Sequence, residues 1–280
     1  MAEAPANIYP VFSVENAKNP NRFLNFPILG ILIKLLLVLP IGIELIFLYF
    51  ASIFVLVINW FVISFTGNYW NAAYKLFVGI ITLETKVALY LFAITDTYPG
   101  FKFDTKGLFT LTITKPEKPS KWLAIPILGI FVRVILALPY LFFITIMQQG
   151  SRVALLLSWF VILFKKRLPE SLFEFERDWL RVSIAGDMYI LGLSDKYPNF
   201  HIAMTHQTAK ILLLIAGTIL AISDWAGALD PAQYKGIHEE SKYQQQMDYD
   251  QAQYDSKMNY DYESNSYYDD IKVTNDNPGY

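Results

Sequence analysis

The chain has 280 residues, of which 54% are hydrophobic, and carries a net charge of −2 at pH 7. This composition excludes an ordinary soluble globular domain. The absence of cysteine excludes disulfides, thiolate metal sites and thiol catalysis. Residues 230–280 hold eleven acidic residues against four lysines, a balance of −7 that leaves +5 on the rest of the chain. The division predicts a membrane-embedded body followed by a soluble acidic tail.

The chain contains one stretch twice, because residues 8–106 align without a gap on residues 107–205 when shifted by 99 positions. Each copy holds an apolar run long enough to cross a bilayer. The sequence therefore predicts two tandem membrane repeats of the same orientation. The clearest matches are Pro27-Ile28-Leu29-Gly30-Ile31 with Pro126-Ile127-Leu128-Gly129-Ile130, Trp60-Phe61-Val62-Ile63 with Trp159-Phe160-Val161-Ile162, and Asp96, Tyr98, Pro99 and Phe101 with Asp195, Tyr197, Pro198 and Phe200.

Each repeat opens with a short stretch that predicts a β-strand at the membrane surface. From Phe109 to Thr114, apolar residues alternate with threonines, which is the period of a half-buried strand. The first copy, from Tyr9 to Val14, shows a weaker form of the pattern. Residues 101–103 and 200–202 are candidate partner strands, and the alternative is a set of irregular loops.

A long apolar run follows in each copy, from Ile28 to Phe65 in the first. A helix of that length extends about 57 Å, nearly twice the hydrocarbon thickness. We therefore predict a helix break at Pro40 and at its equivalent Pro139. The piece before each proline predicts an interfacial helix, with Lys34 or Arg133 reaching the lipid headgroups. The piece after each proline is long enough to span.

The chain then returns through residues 76–95, or 179–194 in the second copy, which gives four predicted spans. Residues 206–229 hold a shorter apolar segment, predicted as a fifth membrane helix, with an interfacial helix as the alternative. Lysine and arginine are more numerous in the amino-terminal and central connections than in the hairpin turns. This bias predicts a cytoplasmic amino terminus, and the membrane is predicted to be the plasma or inner membrane of the cell.

Four ionisable residues lie within the predicted spans, and each needs a partner because charge is costly in hydrocarbon. Folding each hairpin about its turn puts Glu84 level with Arg152 and Lys86 level with Asp187. We therefore predict two ion pairs between the repeats. The alternative is an ion or proton path between the repeats, lined by the same four residues and Gln148.

No catalytic constellation, phosphate-binding glycine loop or surface for single-stranded nucleic acid is recognisable in the sequence. His201 and His206 lie five positions apart with no acidic cluster beside them in sequence, which does not favour a metal site. The sequence therefore predicts a protein that is not an enzyme and has no catalytic, cofactor-binding or metal-binding residues.

The tail from residue 230 to 280 is of low complexity. It holds nine of the 18 tyrosines, interleaved with Asp, Gln, Asn and Ser, and it lacks an aliphatic face. Such a segment buries too little apolar surface to fold alone, so we predict disorder. The tail is either a docking segment that orders on a protein partner or a mobile, solvated end.

Two sequence segments, together with the proline break, resemble a known family. They are the end of the first span, Trp60-Phe61-Val62-Ile63-Ser64-Phe65-Thr66-Gly67, and the stop motif Thr95-Asp96-Thr97-Tyr98-Pro99-Gly100-Phe101. The chain resembles, over residues 8–205, the uncharacterised membrane family catalogued as domain of unknown function 4389, often found in tandem. The second copy departs at Lys165-Lys166 and at mid-span Gln148, Gln149 and Arg152. The resemblance implies an architecture and carries no activity.

The sequence thus predicts an all-α integral membrane protein with two tandem two-span hairpin repeats, short surface strands, a fifth helix and a disordered tail. The leading function is a non-catalytic accessory or scaffold subunit of a membrane assembly. Its predicted partners are membrane lipids and a protein bound by residues 230–280, with no nucleic acid. The alternatives are a small transporter or channel with a polar path between the repeats, and a lipid-modifying or lipid-sensing protein that uses the interfacial helices.

Overall fold

The computed structural model describes residues 10–17, 19–105, 107–126, 128–228 and 240–258. Two compact units divide the chain, Met1–Ile222 and Ser223–Tyr280. The described residues are mostly helical, with one small sheet. The elements in chain order are β1 Val11–Val14, α1 Leu29–Thr66, α2 Asn71–Leu91, β2 Phe109–Thr112, a short 3-10 helix Trp122–Ala124, α3 Leu128–Lys165, α4 Glu170–Ile190 and α5 Gln207–Ala228.

The two predicted proline breaks are wrong, because α1 continues through Pro40 and α3 through Pro139. A proline inside a helix removes one backbone hydrogen bond and disturbs the turn before it. A complete break in apolar surroundings leaves several backbone groups without partners, which costs more. Each apolar run is therefore one helix of 38 residues.

Three helices of the described chain are long and apolar enough to cross a membrane: α1, α3 and the part of α5 from Gln207 to Gly227. Their side chains are exposed over much of their length, with Phe47 70% and Phe164 76% exposed. An apolar surface of this extent favours contact with lipid. The structure therefore supports a membrane protein, with the predicted fifth helix among its candidate spans.

The predicted return spans form helices α2 and α4, which at 21 residues each are long enough to span but lack the apolar composition of a span. Both are largely buried, and α4 buries Glu174, Glu176 and Asp178. Non-helical chain covers α2, because the Lys86 amine contacts the Lys102 carbonyl oxygen and Gly79 lies against the Phe103 ring. The four-span prediction is therefore not confirmed.

The two helical hairpins, α1–α2 and α3–α4, run in opposite directions. The Arg22 guanidinium, just before α1, donates to the Phe164 carbonyl oxygen at the end of α3 (3.1 Å). At the other end, the Ser64 hydroxyl near the end of α1 donates to the Ala124 carbonyl oxygen just before α3 (2.8 Å). The start of each long helix thus lies near the end of the other, which corrects the prediction that the two repeats share one orientation.

The sheet confirms the two predicted opening strands and pairs them with each other. β1 and β2 are antiparallel, with Phe12 opposite Leu111 and Val11 opposite Thr112. Phe12 and Leu111 are 99 positions apart, so the pairing is centred on equivalent positions of the two copies. This is the register expected when two copies of one unit meet about a two-fold axis. The predicted partner strands, residues 101–103 and 200–202, form no strand, so that part of the prediction is wrong.

Helix α5 packs closely on α3 through small residues. Leu213 contributes a backbone oxygen beside Gly150, and Gly217 lies directly against the backbone of Ile146. Ala154 and Ala221, four positions after the two glycines, are fully buried. Small residues spaced by four let two helices approach closely in a membrane.

Part of the tail is helical rather than disordered, because residues 240–258 form a helix in which every residue is exposed. Gln246 donates to Asp250 and Gln251 donates to Asp255, each at 3.0 Å. Such pairs, four residues apart, stabilise an exposed helix by a few tenths of a kcal/mol each. The prediction of disorder for residues 230–239 and 259–280 lies outside the described residues.

Candidate functional site

Two buried cations lie beside the last turns of α2 and α4. The first is Lys34, on α1. Its side chain is 1% exposed. The amine donates to Asn25 Oδ1 at 2.7 Å and to the Tyr90 carbonyl oxygen at 2.8 Å. The carboxylate of Asp96 lies 4.0 Å from the amine. Tyr90 is in the last turn of α2, where carbonyl oxygens lack helical partners and carry partial negative charge.

Arg133 is the equivalent cation in the second copy and is 2% exposed. Its guanidinium donates to the carbonyl oxygens of Tyr189 (2.9 Å), Ser194 (3.2 Å) and Leu123 (3.3 Å). It also forms an ion pair with Asp195. Two of its contacts repeat those of Lys34 at a spacing of 99 residues: the carbonyl near the helix end and the aspartate. Its contact with Leu123, like that of Lys34 with Asn25, is made to the segment before the long helix.

The stop motif explains why this arrangement occurs twice. Asp96 also accepts a hydrogen bond from the Asn21 amide, and Asp195 accepts one from the Ser120 amide at 2.6 Å. Each motif aspartate thus joins a buried cation to the chain segment that precedes the long helix. The cations do not reach the headgroups as predicted, because carbonyl and carboxylate oxygens of the protein occupy their donors. We interpret the two clusters as structural: each holds the end of α2 or α4, the stop motif and the segment before the long helix together.

The structure gives the four charges of the predicted inter-repeat pairs other partners. Glu84 accepts a hydrogen bond from the Tyr49 hydroxyl. Lys86 lies 3.8 Å from Asp104. The predicted pairing is corrected because the depth estimate assumed hairpins of the same direction, whereas they run in opposite directions.

Arg152 donates to Gln149 Oε1 at 3.0 Å, one turn earlier on α3. Asp187 lines the same cavity as Glu84 rather than pairing with Lys86. Two carboxylates therefore approach one another where the sequence predicted opposite charges.

That cavity lies between the two hairpins and has a volume of about 130 Å³. Helix α1 contributes Tyr49 and Ser52, α2 contributes Glu84, and α4 contributes Asp187. The remaining lining is apolar: Phe77, Ile80, Ile81, Ile190 and Leu191. The cavity is too small for an ordinary organic ligand, but its volume and its convergent polar groups suit a few water molecules or a small ion.

Helix α4 holds a second polar network, which the sequence reading missed. The Ser151 hydroxyl donates to the fully buried Glu176. Asp178, also fully buried, lies 3.5 Å from both Arg177 and Arg181. The available signal was the unusual density of charge in residues 170–181, at the start of the return helix.

Glu174 joins α4 to the segment before α5. Its carboxylate accepts from the Thr205 hydroxyl at 2.6 Å and the Thr205 amide at 3.0 Å, and it lies 2.9 Å from Nδ1 of His206. Burial raises the pKa of Glu174, but the hydrogen bonds from Thr205 and His206 outweigh it and hold the pKa below its ordinary value.

This shift predicts a loss of stability in acid. A carboxylate whose pKa is depressed by folding contributes stability above its unfolded pKa, and the contribution disappears as the pH falls through the folded pKa. We expect Glu174→Gln to lower the free energy of unfolding at pH 7 by about 1–3 kcal/mol. The difference from the wild type, measured by circular dichroism in detergent, should shrink as the pH falls below the ordinary pKa of glutamate and should vanish below the folded pKa. A difference that does not shrink in acid would contradict the assignment. Glu170→Gln, an exposed carboxylate on the same helix, is the control.

Within the described residues, no group of three or more His, Cys, Asp or Glu side chains is placed to hold a metal ion. His206 lies beside Glu174, as described above, whereas the backbone of His201 accepts a hydrogen bond from Arg181. His238 lies outside the described residues. The two described histidines thus have roles in packing segments against α4.

Comparison with known proteins gives one match. No curated protein and no solved structure matches the chain. Residues 128–201, which cover α3, α4 and the second stop motif, match the model of the family described as "Domain of unknown function (DUF4389)". The match lies over the second copy of the repeated stretch, so the second hairpin is similar to that uncharacterised family.

Proposed function

We propose that the protein is a non-catalytic, multi-pass membrane protein that serves as an accessory or scaffold subunit of a membrane assembly. Three candidate spans support the membrane location. The buried cations Lys34 and Arg133 have partners within the fold, which favours a structural role for them. The observation that carries the proposal is an unpartnered apolar stripe on the tail helix of residues 240–258.

The stripe consists of Tyr243, Met247, Tyr254 and Met258, spaced by four, seven and four residues. At about 100° per residue these side chains fall within roughly 60° of the helix circumference. They are 74%, 64%, 61% and 55% exposed. Aromatic and methionine side chains aligned on one face of an exposed helix are typical of helices that dock into an apolar groove of a partner.

The test is co-purification in mild detergent with the full chain, a chain ending at Leu229, and a stripe variant with all four residues changed to serine. We expect a partner in stoichiometric amount with the full chain and its loss with both changes. Changing Tyr249 and Ala252, on the opposite face of the helix, to serine is the matched control and should keep the partner. A partner retained by the stripe variant, or a homo-oligomer alone, would contradict the proposal.

For its location we propose the plasma or inner membrane of the cell, with the amino terminus in the cytoplasm. The positive charges that the structure brings to the amino-terminal end of α1 support this orientation; they are Arg22, Lys165, Lys166 and Arg167. A protease added to intact cells should spare an amino-terminal tag. Cleavage of the tag without permeabilisation would reverse the orientation.

A second candidate function is a small transporter or channel, and the cavity between the hairpins favours it. Glu84 and Asp187 lie between the two hairpins, which run in opposite directions. Transporters built from inverted repeats place their substrate and ion sites at the boundary between the repeats. Two carboxylates suit a small cation or a proton. Of the residues predicted to line a path between the repeats, the cavity contains Glu84 and Asp187.

Cation flux into proteoliposomes tests this second candidate. Glu84→Gln and Asp187→Asn should each reduce flux at least tenfold if the cavity is on the path, because each removes the charge that attracts the cation. Glu170→Gln, a carboxylate outside the cavity, should leave flux unchanged. Absence of flux in the wild type under every cation gradient leaves the scaffold proposal as the function.

A further inference from the structure

The turn between α3 and α4 carries the densest exposed positive charge beside a candidate span. Lys165, Lys166 and Arg167 follow one another and are all exposed. Arg22 reaches the same place, because its guanidinium donates to the Phe164 carbonyl oxygen. We call Lys165, Lys166, Arg167 and Arg22 the basic turn.

Two carboxylates adjoin the basic turn and do not neutralise it. Glu170 begins α4 and accepts a hydrogen bond from Asn16 at 3.2 Å, and Glu15 neighbours Asn16 in the chain. Four cations therefore face two acids. The excess positive charge lies at the end of an apolar helix whose last aromatic residue, Phe164, is 76% exposed.

The backbone gives an independent reason to regard Lys166 as functional. In the first copy the long helix ends at Gly67, in the left-handed conformation (φ 73°), with its amide bonded to the Ile63 carbonyl oxygen at 2.8 Å. Lys166 occupies the equivalent position with φ 53°, and its amide bonds to the Ile162 carbonyl oxygen at 2.9 Å. The cap is the same, but the residue that suits it has been replaced by a strained lysine. Strain of this kind is typical of functional positions.

We propose that the basic turn binds the headgroup of an anionic phospholipid at the end of α3. Clustered lysine and arginine at the end of a membrane helix attract the phosphate of anionic lipids. The acyl chains of such a lipid then lie along the exposed apolar surface of α3. The opposite-facing turn, Thr66-Gly67-Asn68, carries no charge of its own, so the two hairpins differ in this property.

The experiment titrates the purified full chain, in a neutral detergent, with dansyl-labelled phosphatidylglycerol or phosphatidylcholine and follows energy transfer from tryptophan. We expect the wild type to bind phosphatidylglycerol about tenfold more tightly. Lys166→Gly should reduce that preference about fivefold, while the thermal unfolding temperature stays equal or rises because glycine suits the cap. A merely structural role for Lys166 predicts no change in lipid preference.

The triple change Lys165→Gln, Lys166→Gly and Arg167→Gln should abolish the preference. The matched control removes the same charge before α3, with Lys115, Lys118 and Lys121 each changed to glutamine, and should retain it. An equal loss in both triple variants would show that net charge alone attracts the lipid and would overturn the proposal. Displacement of the lipid by millimolar inorganic phosphate would overturn it in favour of a free anion.

Discussion

Arg133→Met is expected to destabilise the protein by about 3–5 kcal/mol, the usual cost of removing one partner of a buried ion pair. The change leaves Asp195 without its cation and removes the guanidinium donor from three carbonyl oxygens, of which only that of Tyr189 keeps a backbone donor, the Gly192 amide, among the contacts described. Because Asp195 is 28% exposed, water relieves part of its loss, and the lower end of the range applies. Unfolding in detergent, followed by circular dichroism with increasing denaturant, measures the change.

The first copy offers a compensating variant. Its buried cation is Lys34, which uses Asn25 as an extra acceptor, and Ala124 stands at the equivalent position of the second copy. Arg133→Lys alone should lose most of the stability that Arg133→Met loses, since the shorter amine lacks that acceptor. Adding Ala124→Asn should restore at least half of the loss. Lys196→Met, an exposed cation beside Asp195, is the control and should change stability by less than about 0.5 kcal/mol.

The two buried cations, Lys34 and Arg133, also show what a repeat in the sequence can predict. The 99-residue shift aligned Lys34 with Arg133 and Asp96 with Asp195, so the sequence contained both clusters. The sequence nevertheless predicts that these cations reach the lipid headgroups, because helical periodicity gives no information on which part of the protein lies beside them. Only the fold brings the last turn of α2, with Tyr90, beside Lys34.

The intramembrane charges show a second reason why the sequence was insufficient. Pairing Glu84 with Arg152 required the relative direction of the hairpins, and a sequence repeat leaves that direction open. The sequence predicts return spans in α2 and α4 because each follows the turn at the end of a long apolar run. Their burial by other protein segments, such as the contact of Gly79 with Phe103, depends on contacts distant in sequence.

By contrast, local patterns predicted their elements well. The alternation from Phe109 to Thr114 gave β2, and the apolar runs gave α1 and α3. The proline breaks failed because a proline affects a helix locally, whereas the continuity of α1 depends on the cost of exposing backbone groups to apolar surroundings. The spacing of Gly150 with Ala154 and of Gly217 with Ala221 is present in the sequence, but it does not by itself identify which two helices meet.

That glycine spacing leads to the second large effect. Gly217→Ala is expected to destabilise the protein by about 2–3 kcal/mol, the range for overpacking a tight contact. An added Cβ would lie 2.3 Å from the Ile146 carbonyl oxygen and 2.8 Å from the Gly150 amide nitrogen. Both are backbone atoms, which cannot rotate away as a side chain can, so α5 must move off α3. Thermal unfolding in detergent and the rate of proteolysis in residues 201–206, which precede α5, measure the two consequences.

Gly42→Ala separates this clash from the general effect of placing alanine in a helix. An added Cβ at Gly42 meets no atom within 4 Å, and alanine favours the helix over glycine by up to about 1 kcal/mol. The same substitution in two apolar helices is therefore expected to have opposite signs, stabilising at Gly42 and destabilising at Gly217. If both variants were stabilised, α5 would be free of α3, and the close approach at Gly150 would have no part in holding the third candidate span to the rest of the protein.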